Sequence, residues 1–147
     1  MKIPTEIRNL IESGCHAHLV TLNPDGSPQV TLVWIGLDGD EIVAAHLPRN
    51  QKVRNIERDP RGSILIEDGV DYDKLRGVFV RGRFEIIDDQ ELCYRIALAS
   101  AQKYQGLSEE QAGTALRYYI RKRVAVVFHP GKVSSWDHRK TAEASAT

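Results

Sequence analysis

Apolar and polar positions change period several times along this chain, and each change marks an element. Over residues 5–13, Ile7, Leu10 and Ile11 share one side of a short helix, with Thr5 as its cap and Gly14 suited to the left-handed residue after its end. Residues 16–22 and 28–37 are strand-like. Between them Asn23-Pro-Asp-Gly-Ser is a hairpin signal, because Gly26 can take positive φ. Leu37-Asp-Gly-Asp-Glu41 supplies a second turn into a strand at 41–46, so a three-stranded antiparallel meander is expected. The stretch from His46 to Pro60 then turns at Pro48 and enters a helix at 50–59, with Asn50 as its cap and Val53 and Ile56 facing inward.

Asp59-Pro60 ends that helix, and 62–67 is a fourth strand. The acidic residues Glu67, Asp68, Asp71 and Asp73 lack the ligand spacing and interior glycine of a calcium loop and read as solvated. From 75 to 87 a long strand alternates Val78, Val80, Phe84 and Ile86 around Arg81-Gly82-Arg83, where Gly82 marks a bulge or bend. Asp88 caps a helix running to about 104. Ser108-Glu-Glu-Gln111 is a capping box that opens another, running to about 121. Arg117, Arg121, Lys122 and Arg123 at its C-terminal end oppose the helix dipole and are read that way. A sixth strand covers 124–128, and 132–136 either extends it or pairs back after Pro130-Gly131; the polar tail from 138 is expected to fray. Six strands joined largely by hairpins, with short helices at the edges, predict a mainly β, small antiparallel barrel in a single domain spanning 1–147. The hairpins exclude a parallel Rossmann sheet.

Composition narrows the function classes. Twenty basic residues balance twenty acidic ones, so no global field draws nucleic acid or an anionic membrane, and any anion site must be local. No apolar run is long enough to span a bilayer, and the N-terminus carries Glu6 and Glu12 where a signal peptide would be apolar, so a cytoplasmic protein is expected. Cys15 and Cys93 are expected to be buried thiols rather than a disulfide framework.

The sequence has no glycine-rich phosphate loop, which leaves the start of the 50–59 helix as the best anion site. Arg49 and Lys52 stand at its first turn, where free backbone N–H groups and the positive dipole end favour a phosphate. Trp34 and Trp136, each beside polar residues, add the prospect of a flat ligand. His16 and His18 would share one strand face, yet nothing fixes His46 or His129 beside them, so no metal site is expected. Ser134, Ser135, Asp137 and His138 contain the letters of a hydrolase without the strand-to-helix elbow that would expose a nucleophile.

Four segments, Thr21–Trp34, Lys52–Pro60, Val80–Glu85 and Val133–Asp137, occur in an order that resembles the FMN-binding split-barrel superfamily, the pyridoxamine 5′-phosphate oxidase-like proteins. More narrowly, the chain resembles the branch that uses the deazaflavin F420. The resemblance implies a homodimer of six-stranded split barrels with two cofactor sites at the subunit interface and a small-molecule substrate. Val30, Thr31, Val33 and Trp34 would line the ring; Arg49, Gln51 and Lys52 would hold the phosphate, supported by Asn50 and Asn55. Trp136 would reach the site from the partner, and His46 is a candidate proton donor. A hydride would pass between the ring and an unsaturated substrate. The basic C-terminal motif of genuine pyridoxamine phosphate oxidases is missing, which argues against vitamin B6 oxidation. Arg54 and Arg58, one helical turn apart, would suit the acidic tail of F420 and favour it over FMN, the alternative. A non-catalytic carrier of flavin, deazaflavin or haem would use the same pocket.

Overall fold

The computed structural model describes residues 1–140. Its elements are α1 (Thr5–Glu12), β1 (Ala17–Leu22), β2 (Pro28–Val33), β3 (Gly36–Asp38), β4 (Glu41–His46), α2 (Gln51–Arg58), β5 (Arg61–Asp68), β6 (Arg76–Ile87), α3 (Gln90–Gln105), α4 (Glu109–Ile120) and β7 (Val124–Asp137), with one 3-10 turn at Tyr72–Lys74. All strand pairings are antiparallel, in the order β2-β1-β5-β6-β7-β4-β3.

Two expectations are corrected here. There are seven strands rather than six, because the run at 28–37 breaks at Trp34-Ile35 into β2 and β3. These two lie at opposite ends of the sheet, so the first strands form two separate hairpins rather than a meander, and among the described residues no hydrogen-bonded ladder closes the barrel. The break has a physical cause: the backbone at Ile35 leaves the ladder for the side chains of α3. Its N–H donates to Tyr104 Oη at 3.3 Å, and its carbonyl accepts from Lys103 Nζ. Burial of that ammonium lowers its pKa to about 8.

Strand β7 runs unbroken from 124 to 137, so the extension alternative holds. Opposite it, Arg81 faces Lys132 while Gly82 faces Pro130, making Gly131 the extra residue of a bulge. Gly82 is required there, since a Cβ would meet the carbonyl oxygen of His129. Val124–Phe128 is continuously apolar because both its faces are covered. Val124, Val126 and Phe128 join the barrel interior with Leu19, Ile64 and Val80, while Ala125 and Val127 pack outward against Cys93 and Ile96 of α3.

The helix ends match in part. Ser108 and Gln111 form the expected capping box, but Asp89 rather than Asp88 caps α3, and α1 starts after Pro4 with no capping side chain from Thr5. Cys93 is buried, and burial raises its pKa to about 11; Cys15 is only half-buried. Part of the expected frayed tail is docked, since His138 donates its backbone N–H to Leu75 O at 2.8 Å; the rest, 141–147, lies outside the described residues.

Candidate functional site

A cleft of about 1050 Å³ opens between the end of β2, the end of β4 and the α3–α4 pair. Four of the residues singled out from the sequence line it: Val33, Trp34, His46 and Lys52. Trp34 is fixed by stacking on Tyr104 of α3, with ring centroids 4.5 Å apart and planes within 5°. The Tyr104 hydroxyl in turn donates to Cys15 O at 3.0 Å, which ties the start of β1 to the same helix.

The polar floor is built by register. His46 ends β4 opposite Val124, so the residue just before β7, Arg123, comes to the same corner as Lys52 on the first turn of α2. Arg123 is held by a donation to Ala45 O at 3.3 Å and by its position 4.0 Å over the Tyr119 ring. Its Nε and the His46 Nε2 are shut off from solvent with no hydrogen-bond partner. Burial, then the charges of Lys52 and Arg123, push the His46 pKa down to about 3, so the ring is neutral at physiological pH. Burial and Arg123 also lower that of Lys52. Among the described residues no carboxylate pairs with Lys52 or Arg123. Two cations at one corner without an acid, with Arg123 Nε and His46 Nε2 unsatisfied among the described residues, make an environment suited to an anion.

Local tethers hold this corner in place. Asn55 of α2 is fully buried and donates to both Thr21 Oγ1 and Asn23 Oδ1 at 3.0 Å, clamping the helix to the β1–β2 hairpin. Gln51 donates to Asn55 Oδ1 at 2.9 Å. These two therefore brace the corner from behind and do not line the cleft. Asn50 occupies the N-cap position of α2, but its side chain makes no capping hydrogen bond. Arg49 is exposed, and Arg58 is engaged by Leu22 O and Asn55, which removes it from the free basic strip expected from the sequence.

Other singled-out residues lie on the outer face of the sheet. Val30 is 56% exposed there, and Trp136, 41% exposed, packs flat on Gly77. Thr31 turns inward, its Oγ1 buried without a partner. One chain thus does not bring Trp136 or Val30 into the cleft. His18 lies 3.5 Å from Glu67, and among the described residues no group of three or more His, Cys, Asp or Glu gathers to hold a metal.

Sequence reasoning missed the far wall. Tyr118, Tyr119, Arg121, Lys122 and Arg123 all border the cleft, whereas Arg117 turns away to Glu91 at 2.7 Å. The signal was the density of rings and cations in Tyr118-Tyr-Ile-Arg-Lys-Arg123, which the helix dipole alone does not explain.

Comparison with known proteins bears on this arrangement. Residues 3–137 match the family model described as pyridoxamine 5′-phosphate oxidase. The chain belongs to the pyridoxamine 5′-phosphate oxidase family. Among solved structures of this family's fold, a conserved hypothetical protein, Rv2991 from Mycobacterium tuberculosis, is 34% identical with a TM-score of 0.88, over 97% of this chain and 89% of that one. A protein titled F420 reductase is 31% identical with a TM-score of 0.68, over 90% of this chain and 98% of that one. A haem binding protein from Mycobacterium smegmatis, 22% identical with a TM-score of 0.62 over 97% of this chain and 62% of its own, shares the fold. No functionally curated protein matches the sequence.

Proposed function

We propose that this member of the pyridoxamine 5′-phosphate oxidase family is an F420-dependent oxidoreductase, acting on an unsaturated small molecule. The observation that carries the reading is the acid-free corner of Lys52, His46 and Arg123, set beside the stacked Trp34 at one end of a large cleft. The likeness to an F420 reductase over nearly the whole of both chains supports the choice of deazaflavin.

The residues present fit such a group. Lys52 and Arg123 would pair with its phosphate, and the neutral His46 would offer Nε2–H as a hydrogen-bond donor. Arg49, exposed at the turn before α2, would add a third cation from the solvent side. Val33 and Trp34 would form the ring's bed. When bound, the deazaflavin supplies a two-electron hydride carrier. The chain's own part is to fix the ring, exclude water with Trp34 and Tyr104, and neutralise the phosphate. FMN carries the same ring-and-phosphate pattern and remains the competing cofactor.

The same reading calls for a second copy of the chain. On the outer face, Leu32, His18, Leu65 and Phe79 stand side by side across four strands, next to Val30 and Val20 on the adjoining row. So large an uncovered apolar face suits a homodimer, in which Trp136 of one chain would approach the cofactor of the other. The test is a fluorescence titration of cofactor-free protein with F420 and with FMN in identical buffer. Tight F420 binding with FMN weaker by tenfold or more is expected; the reverse order would move the chain to the flavin enzymes, and binding of neither would end the reading.

A further inference from the structure

The cleft extends along α3 and α4 beyond the phosphate corner and Trp34. Pockets for single small ligands run from about 300 to 1,000 Å³, and the phosphate corner with Trp34 occupies only one end of this 1050 Å³ space. The remainder lies along α3 and α4. Its wall is apolar, formed by Ile96, Ala101, Leu107, Ala112, Ala115 and Leu116. Two further cations border the cleft, Arg121 and Lys122, with no carboxylate partner among the described residues. Arg121 is fixed in place, 4.0 Å over the Tyr118 ring and donating to its hydroxyl at 2.9 Å. A guanidinium held by an aromatic face keeps its remaining N–H groups free to form a two-pronged contact with a carboxylate.

We infer that the α3–α4 half of the cleft is the substrate site and that the substrate is an organic acid with an apolar body. The body lies against Ile96, Ala112 and Leu116, and the carboxylate is held by Arg121 and Lys122. The inference rests on the oxidoreductase reading for the word substrate; the acid site itself stands on the cleft. Charge complementarity selects the ligand: an apolar trough closed by unpaired cations favours an amphipathic anion over a neutral or cationic molecule of the same length.

The test uses octanoate and octanol as probes, titrated calorimetrically into the full chain. Octanoate should bind at least tenfold more tightly than octanol. The double variant Arg121→Glu/Lys122→Glu should remove that advantage while changing octanol affinity less than twofold. Ala115→Trp, at an exposed helix position, should weaken both probes by filling the trough. Octanoate affinity unchanged by the double variant would overturn the inference. So would octanoate displacing F420, which would put the acid at Lys52. A double variant that weakens F420 and spares octanoate would assign the pair to the cofactor's acidic tail and overturn it equally. Octanoate binding as expected without any F420 binding would support the acid site and sink the cofactor reading alone.

Discussion

The neutral His46 makes a measurable demand on stability in acid. In the unfolded chain an imidazole titrates near pH 6.5, whereas in the folded protein burial, Lys52 and Arg123 hold it near 3. Between those values the unfolded state takes up a proton that the native state refuses, so stability is fully present above about pH 6.5 and is lost as pH falls toward 3. A gap of 6.5 to about 3 corresponds to roughly 5 kcal/mol across the whole window, at about 1.36 kcal/mol per pH unit. By pH 4 about 3 kcal/mol of it should be gone. His46→Gln cannot take up that proton and should lack this part of the slope, whatever its stability at neutral pH. Urea unfolding of both proteins at pH 7.5, 6, 5 and 4 isolates the term, because every other titrating group contributes alike to the two. Parallel loss of stability in wild type and variant would refute the argument, as would an NMR titration that places the His46 midpoint between pH 5 and 7.

Other outcomes follow from single residues. Lys52→Glu should weaken F420 by a hundredfold or more in the fluorescence titration with an unchanged far-ultraviolet spectrum, because it sets a negative charge where a phosphate must sit. Asn55→Leu should lower stability by about 3 kcal/mol in urea, since the fully buried amide leaves Thr21, Asn23 and Gln51 without their partner. Val30→Asp, on the exposed outer face of β2, should shift the proposed dimer to monomer in light scattering without loss of secondary structure. Gly77→Ala should displace the Trp136 ring that lies on it and cost about 1–3 kcal/mol; a change in near-ultraviolet dichroism with Trp34 unaltered is the signature.

Features specified by neighbouring residues were legible in the sequence. The Asn23–Ser27 turn and the Ser108–Gln111 box each depend on local chemistry, and each is present. The break at Trp34-Ile35 was not legible, because the apolar run continues through it. Its cause lies in Lys103 and Tyr104, 68 and 69 residues away in sequence. The same holds for the site. Lys52 and Trp34 were found from a helix start and an isolated ring, whereas Arg121, Lys122 and Arg123 acquire their place only through the packing of α4 against α3. The Asp88 cap failed by one residue, since either aspartate satisfies the sequence rule and only the chain path selects Asp89.

Strands β2 and β3 occupy the two ends of the sheet, yet only Trp34 and Ile35 separate them. Three Cα steps of 3.8 Å limit the distance from Val33 to Gly36 to about 11 Å, so at this point the two edges stand close together without a ladder between them. The cleft begins at that junction. Among the described residues no strand-to-strand hydrogen bond joins the two edges there; the Trp34–Tyr104 stack, the donation from Ile35 N–H to Tyr104 and that from Lys103 to Ile35 O tie them together through α3 instead.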